Sequence, residues 1–294
     1  MTTIRAAVLQ MRSGLEPSDN AASFEALVED AVAKGASYVQ SPEMTGMIQR
    51  DRTELMRRLA PEAEDLIAGT AKRLAARHRI FVHVGSTAIP LDDGRVANRA
   101  LLFGPDGERV AFYDKIHMFD VDLDNGESWR ESRTYRPGDR AVLADLGFAD
   151  GKVRLGFSIC YDMRFPHLYR EEAIAGAEVL TAPAAFTRQT GEAHWHVLLR
   201  ARAIENGAYM IAAAQGGRHD DGRETFGHSL IVDPWGRILA EIAGNEPGVA
   251  LATIDTAEAA AARAKIPNLK NARPFAVGAG AEPISVTGSL EAAE

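Results

Sequence analysis

Val153-Arg-Leu-Gly-Phe-Ser-Ile-Cys160-Tyr-Asp-Met-Arg164-Phe-Pro166 is the stretch that decides how this chain reads. Val153 to Ile159 is a mostly apolar run of strand length, and Pro166 is placed to open a helix. A strand that hands over to a helix through a short turn is the unit of an α/β fold. The carboxyl end of such a strand is where α/β sheets bind ligands. Cys160 sits at that end, and it is the only cysteine in 294 residues. It therefore forms no internal disulfide and cannot supply most of a zinc site, which reads as an intracellular chain. Two readings of the thiol stay open, a small buried hydrophobe or a nucleophile. Gly156-Phe-Ser158-Ile-Cys160 comes near a G-x-S-x-G nucleophile elbow, but it lacks the last glycine and Ser158 lies inside the strand.

Working outward, strand and helix patterns alternate. Ile4 to Leu9, Tyr38 to Gln40, Ile80 to Ile89, Val179 to Ala182 and Tyr209 to Ala214 read as strands. Ala21 to Ala33, Pro166 to Ala175 and Gly191 to Asn206 read as helices, and Glu54 to Arg79 as helix interrupted near Pro61. Hairpins are expected at Arg99 to Tyr113, turning at Pro105-Asp106-Gly107, and at Ser229 to Ile242. The hairpins make the sheets mixed. Residues 120–140 are polar and fit neither period. No Ser/Gly linker and no repeat of about 20–50 residues divides the chain. Residues 1–294 are thus expected to form one domain, with an extended C-terminal arm from about residue 258.

The formal net charge is −8, 46% of residues are hydrophobic and 25% are charged. Those values exclude disordered and fibrous classes. The charge is acidic without acidic blocks, which argues against nucleic acid as a partner. The first residues lack the basic and apolar regions of a signal peptide, and no run of about 18 apolar residues crosses a membrane. A cytoplasmic location is expected.

Two further strand ends carry charged residues in apolar surroundings. Ser37-Tyr-Val-Gln-Ser-Pro-Glu43 puts a carboxylate after a short strand, and Val110-Ala-Phe-Tyr-Asp-Lys115 ends on a lysine. Singly, Glu43 reads as a cap and Lys115 as a snorkelling side chain. Together with Cys160 they make a coherent device. A glutamate can deprotonate a thiol if a dry pocket raises its pKa, and a lysine can hold a developing oxyanion. The N–H of Tyr161 is a second oxyanion donor. Such a site suits acyl transfer from an amide: attack by sulfur, loss of ammonia, then hydrolysis of the thioester.

These residues, with Pro183-Ala-Ala-Phe-Thr187, Arg200-Ala-Arg-Ala-Ile-Glu-Asn206 and Gly227-His-Ser-Leu-Ile-Val-Asp-Pro-Trp-Gly236, resemble the nitrilase superfamily of carbon–nitrogen hydrolases. The resemblance runs in order along nearly the whole chain. It implies a four-layer α-β-β-α sandwich with two mixed β-sheets and a Glu–Lys–Cys triad of Glu43, Lys115 and Cys160. It also implies a second glutamate, Glu131, that helps to position the attacking group. Subunits of this family pair into homodimers or larger homo-oligomers. No cofactor and no metal is expected.

Within the superfamily the chain resembles the amidases that act on ω-amides of dicarboxylic acids. Arg164, on the turn after the nucleophile, is then expected to clamp a substrate carboxylate bidentately. Thr190 would donate to the same carboxylate, and Met118 and Phe186 would line the apolar part of the pocket. Ala214-Gln215-Gly-Gly-Arg-His219 resembles the deaminated-glutathione amidases more than the ω-amidases of α-ketoglutaramate. N-carbamoyl amino acid hydrolysis is a further alternative. Other classes fare worse. A thiol redox protein wants a second cysteine, Gly278-Ala-Gly280 lacks the third glycine of a dinucleotide fingerprint, and a non-catalytic binding member would have lost a triad residue.

Overall fold

Along Thr3–Gln10 the side chains alternate as a strand requires, yet both faces are buried. Ile4, Ala6 and Val8 join the core between two sheets, whereas Ala7 and Leu9 join a second core under helices. A strand buried on both faces must lie in an inner layer. The computed structural model describes residues 2–122, 126, 128–276, 278–279 and 282–283.

One sheet runs, in spatial order, Gly248–Asp255, Thr3–Gln10, Tyr38–Gln40, Phe81–Pro90, Val96–Phe103, Arg109–Asp114. The other runs Leu143–Phe148, Gly151–Gly156, Val179–Thr181, Tyr209–Ala212, Leu230–Val232, Ile238–Glu241. Read in these orders, both sheets show the same pairing: antiparallel, parallel, parallel, antiparallel, antiparallel. Helices Pro17–Ala33 and Leu66–His78 cover the first sheet through Phe24, Val28 and Leu74. Pro166–Ile174 and Arg188–Asn206 cover the second through Tyr169, Trp195 and Leu199. The result is the four-layer α-β-β-α sandwich with two mixed sheets.

Buried glutamines tie the facing sheets together. Gln40 Oε1 accepts from the Ala213 N–H at 3.0 Å, and Gln10 Oε1 accepts from the Ser229 N–H at 2.9 Å. A polar group buried between sheets has to find such a partner, so these bonds also set the alignment of one sheet on the other.

Several expectations change. The strand before Cys160 stops at Gly156, because the Ile159 N–H turns to the Asp162 carboxylate at 2.9 Å and leaves the ladder. The polar stretch holds an antiparallel pair, Asp120–Asp122 with Ser128–Arg130, and a 3₁₀ turn, Glu131–Arg133. The strand Gly248–Asp255 has no counterpart in the sequence reading. The arm expected from about residue 258 starts instead as a helix, Thr256–Lys265, capped by Asp255, whose carboxylate accepts from the Ala257 N–H. Its run of alanines favours helix over extended chain. The end of the expected arm lies outside the described residues. As expected, the chain breaks around Pro61, between helices Arg52–Arg58 and Leu66–His78; Asp65 caps the second by accepting from the Ala68 N–H at 2.8 Å. Among the described residues no helix is long and apolar enough to cross a membrane.

Candidate active site

Three strand ends deliver the central groups. Glu43 follows Tyr38–Gln40, Lys115 follows Arg109–Asp114, and Cys160 opens a 3₁₀ turn, Cys160–Arg164, beyond Gly151–Gly156. Cys160 has φ +49° and Met44, next to Glu43, has φ +55°. Left-handed backbone at a non-glycine costs roughly 1–3 kcal/mol and persists only where the surroundings impose it. At Cys160 they do. Its N–H donates to the Pro183 carbonyl at 2.8 Å, and the Asp162 N–H closes back on the Ile159 carbonyl at 3.1 Å. Buried Asp162 also accepts from the Tyr113 hydroxyl at 2.7 Å and the His117 N–H at 3.0 Å. Those two residues flank Lys115, so one carboxylate holds the lysine segment against the cysteine turn.

Lys115 Nζ donates to Glu43 Oε1 at 2.9 Å and to the two Glu131 oxygens at 3.0 and 2.9 Å. The three side chains are 2%, 7% and 12% exposed, in the order Lys115, Glu43, Glu131. Asn98 Nδ2 donates to Glu43 at 2.9 Å and to Glu131 at 3.2 Å. The Ala185 N–H donates to Glu43 Oε2 at 2.8 Å, and the Phe119 N–H to Glu131 Oε2 at 2.7 Å. The Cys160 thiol hydrogen-bonds Glu43.

The ionisation states follow. Burial raises the Glu43 pKa, but the Lys115 ammonium and the hydrogen bonds outweigh it and hold the carboxyl below its ordinary value. The dry pocket thus does not make Glu43 a raised-pKa base, as the sequence reading requires, because a cation is buried with it. Burial also works against the Lys115 charge, yet Glu131 and Glu43 more than compensate and its pKa stands well above the usual lysine value. Burial pushes the Cys160 thiol well up, and the Glu43 charge adds to that. At neutral pH the resting site holds Cys160 as the thiol, Lys115 as the ammonium and Glu43 as the carboxylate.

A cavity of about 450 Å³ opens over this cluster, lined by Glu43, Lys115, Glu131 and Cys160 and, from the expected binding residues, by Tyr161, Phe186 and Thr190. Thr190 Oγ1 lies 2.7 Å from the Thr187 hydroxyl. Arg164 and Met118 are not among the lining residues. The Arg164 guanidinium lies over the Phe186 ring, 5.2 Å from the centroid, and reaches His194 Nδ1 at 3.2 Å. Met118 is half-buried, and its carbonyl accepts from the Asp120 N–H at 3.0 Å.

Sequence reasoning missed Asn98, the Ala185 N–H and five lining arginines: Arg50, Arg52, Arg130, Arg133 and Arg223. Asn98 had a signal, a lone amide within the apolar strand Val96–Phe103. The arginines had none, since arginine in a polar loop is ordinary. As to a cation, one group among the described residues has its donor atoms within 4.8 Å of one another: His196, His228 and Glu241. None of the three lines the cavity.

Residues 5–264 match the sequence profile of the carbon–nitrogen hydrolases. The deaminated glutathione amidase of Synechocystis sp. strain PCC 6803 is 40% identical over 271 residues, which cover 90% of this chain and 97% of that one. The human omega-amidase NIT2 is 33% identical over 276 residues, covering 93% and 96%. The crystal structure of the C. elegans NitFhit protein superposes with a TM-score of 0.83 at 32% identity. That match covers 92% of this chain and 65% of the NitFhit chain.

Proposed function

The chain belongs to the carbon–nitrogen hydrolase family and acts on amide bonds, and from that premise we propose that Cys160 is the nucleophile of a Glu43–Lys115–Cys160 triad. The observation that carries the proposal is the buried cluster at the foot of the cavity, with Glu43 touching both the thiol and the ammonium. The sulfur attacks the amide carbon while its proton passes to Glu43. Because the resting thiol is not ionised, attack and proton transfer proceed together. Lys115 and the Tyr161 N–H face the oxygen on which charge develops. Glu43 then gives the proton to the departing nitrogen, the carbon–nitrogen bond breaks and a thioester remains. Glu43 next takes a proton from water, which attacks the thioester, and returns it to the sulfur as the acid leaves. Glu131 positions Lys115 and the reacting groups.

The substrate proposed is a small amide with a free carboxylate, first of all deaminated glutathione, on the strength of the 40% identical relative and the arginines around the cavity. This alters one expected product. Deaminated glutathione is a secondary amide whose leaving group is a dipeptide amine. Ammonia is the product only with a primary amide such as α-ketoglutaramate, the substrate of the alternative ω-amidase reading. Subunit pairing and a cytoplasmic location belong to the same proposal. Helix Arg188–Asn206 leaves Val197 and Ile204 exposed, and the neighbouring turn exposes Trp235, an apolar surface suited to a second copy.

The test is release of free amine and keto acid from deaminated glutathione. Cys160→Ala is expected to abolish it, with circular dichroism and Tm unchanged. Turnover by that variant above a blank would remove Cys160 from the mechanism.

A further inference from the structure

We propose that Arg223, with Arg50 over the same indole, forms the subsite for the carboxylate of the substrate's leaving amine, an inference that rests on the amide-hydrolase reading above. Arg223 lines the cavity, yet its Nε is buried with no hydrogen-bond partner among the described residues. Its ion pair with Asp221 is long, 3.6 Å, and the side chain is 17% exposed. A guanidinium this enclosed and this poorly bonded is a group built to receive an acceptor.

Its setting is chosen for an anion. The Arg223 Cζ stands 4.4 Å from the Trp129 ring centroid, and the Arg50 Cζ stands 4.5 Å from it. Stacking on an aromatic face holds the planar group still and leaves its N–H edge to meet a carboxylate with two parallel bonds. The two acidic groups in the lining, Glu43 and Glu131, are both already engaged by Lys115. Within the lining an incoming carboxylate therefore meets guanidinium groups, and Arg223 carries only its long ion pair with Asp221. Arg164, the arginine expected for such a role, is not in the lining; it lies over the Phe186 ring and reaches His194.

Arg223 and Arg50 line the same cavity as Glu43 and Cys160. Arg50 lies on the segment that follows Glu43, the group that hands the proton to the departing nitrogen.

The experiment compares the full chain and Arg223→Ala on three amides: deaminated glutathione, its glycyl carboxamide, and α-ketoglutaramate. The carboxamide lacks the leaving-group carboxylate, and α-ketoglutaramate lacks the leaving dipeptide. The loss of kcat/KM in Arg223→Ala on deaminated glutathione is expected to exceed the losses on the other two by about 30-fold, carried by KM. Arg223→Lys should restore part of it, since charge returns without the planar fork. Equal losses on all three amides overturn the subsite and leave the amidase reading standing. A large loss on α-ketoglutaramate would move Arg223 to the acyl side and also overturn it. A wild-type chain that turns over none of the three overturns both readings. Unchanged circular dichroism and Tm of the variant separate binding from folding.

Discussion

Cys160 and Glu43 illustrate how much of the chemistry is set by neighbours. Cys160 takes its left-handed φ at the start of the 3₁₀ turn that follows its strand, a sharp turn like that of a nucleophile elbow, although the glycine pattern of that motif is absent. Glu43 is a carboxylate in a dry place that nevertheless keeps its charge, because Lys115, Asn98 and the Ala185 N–H all point at it. The sign of the pH dependence follows. In the proposed mechanism Glu43 works as the carboxylate, and its pKa lies below the ordinary 4.5, so the acid limb of kcat/KM should fall below pH 4.5. In that mechanism Lys115 works as the ammonium and Cys160 as the thiol, both with pKa well above the ordinary 10.5 and 9.0, so no alkaline limb should appear below pH 9. The measurement is kcat/KM across that range in constant ionic strength. A limb with its midpoint near pH 6 or 7 would mean that a raised carboxyl or a histidine controls the step instead.

Among the elements, the strand Phe81–Pro90 decides how closely the two sheets meet at the site. Gly85 lies where a Cβ would come 2.0 Å from the Ser41 carbonyl oxygen and 2.4 Å from the Pro183 side chain. Those residues precede Glu43 in one sheet and Ala185 in the other. A side chain here would push apart the two segments whose bond holds the Glu43 carboxylate. Gly85→Ala should therefore cost about 3 kcal/mol or more of stability and most of the activity. Gly69, inside helix Leu66–His78, has open space around it, and Gly69→Ala should be neutral or gain up to about 1 kcal/mol. Urea unfolding of the pair checks both, and a Gly85→Ala protein as stable as wild type would contradict the close approach. Helices and strands of strong period were legible from sequence because each side chain's face depends only on its near neighbours. The short elements of residues 120–133, and with them the place of Glu131, were not, because their pairing is decided by contacts made elsewhere.

At the scale of the molecule, the space between the sheets encloses His83, whose ring nitrogen lies 2.7 Å from the Tyr38 hydroxyl while Nε2 has no partner. Burial lowers its pKa from 6.5 to about 3. The unfolded chain thus binds a proton that the folded one refuses. Stability from this group is present above pH 6.5 and is lost as pH falls toward 3, by up to about 5 kcal/mol. The urea midpoint should drop between pH 7 and 4, and His83→Gln should flatten that drop; an equally steep fall in the variant would place its origin in the carboxylates. The sequence by itself determined the strongly periodic strands and helices, the mixed sheets and the reaction class, and it singled out Glu43, Lys115 and Cys160 as candidates for that chemistry. Residue identity and short-range period carry that information. Only the tertiary structure decided that Glu43 is held ionised, that Arg164 lies over Phe186 outside the cavity lining and that Arg223 and Arg50 line the cavity over Trp129. Ionisation and access depend on which distant residues come within a few ångströms, and no local pattern records that.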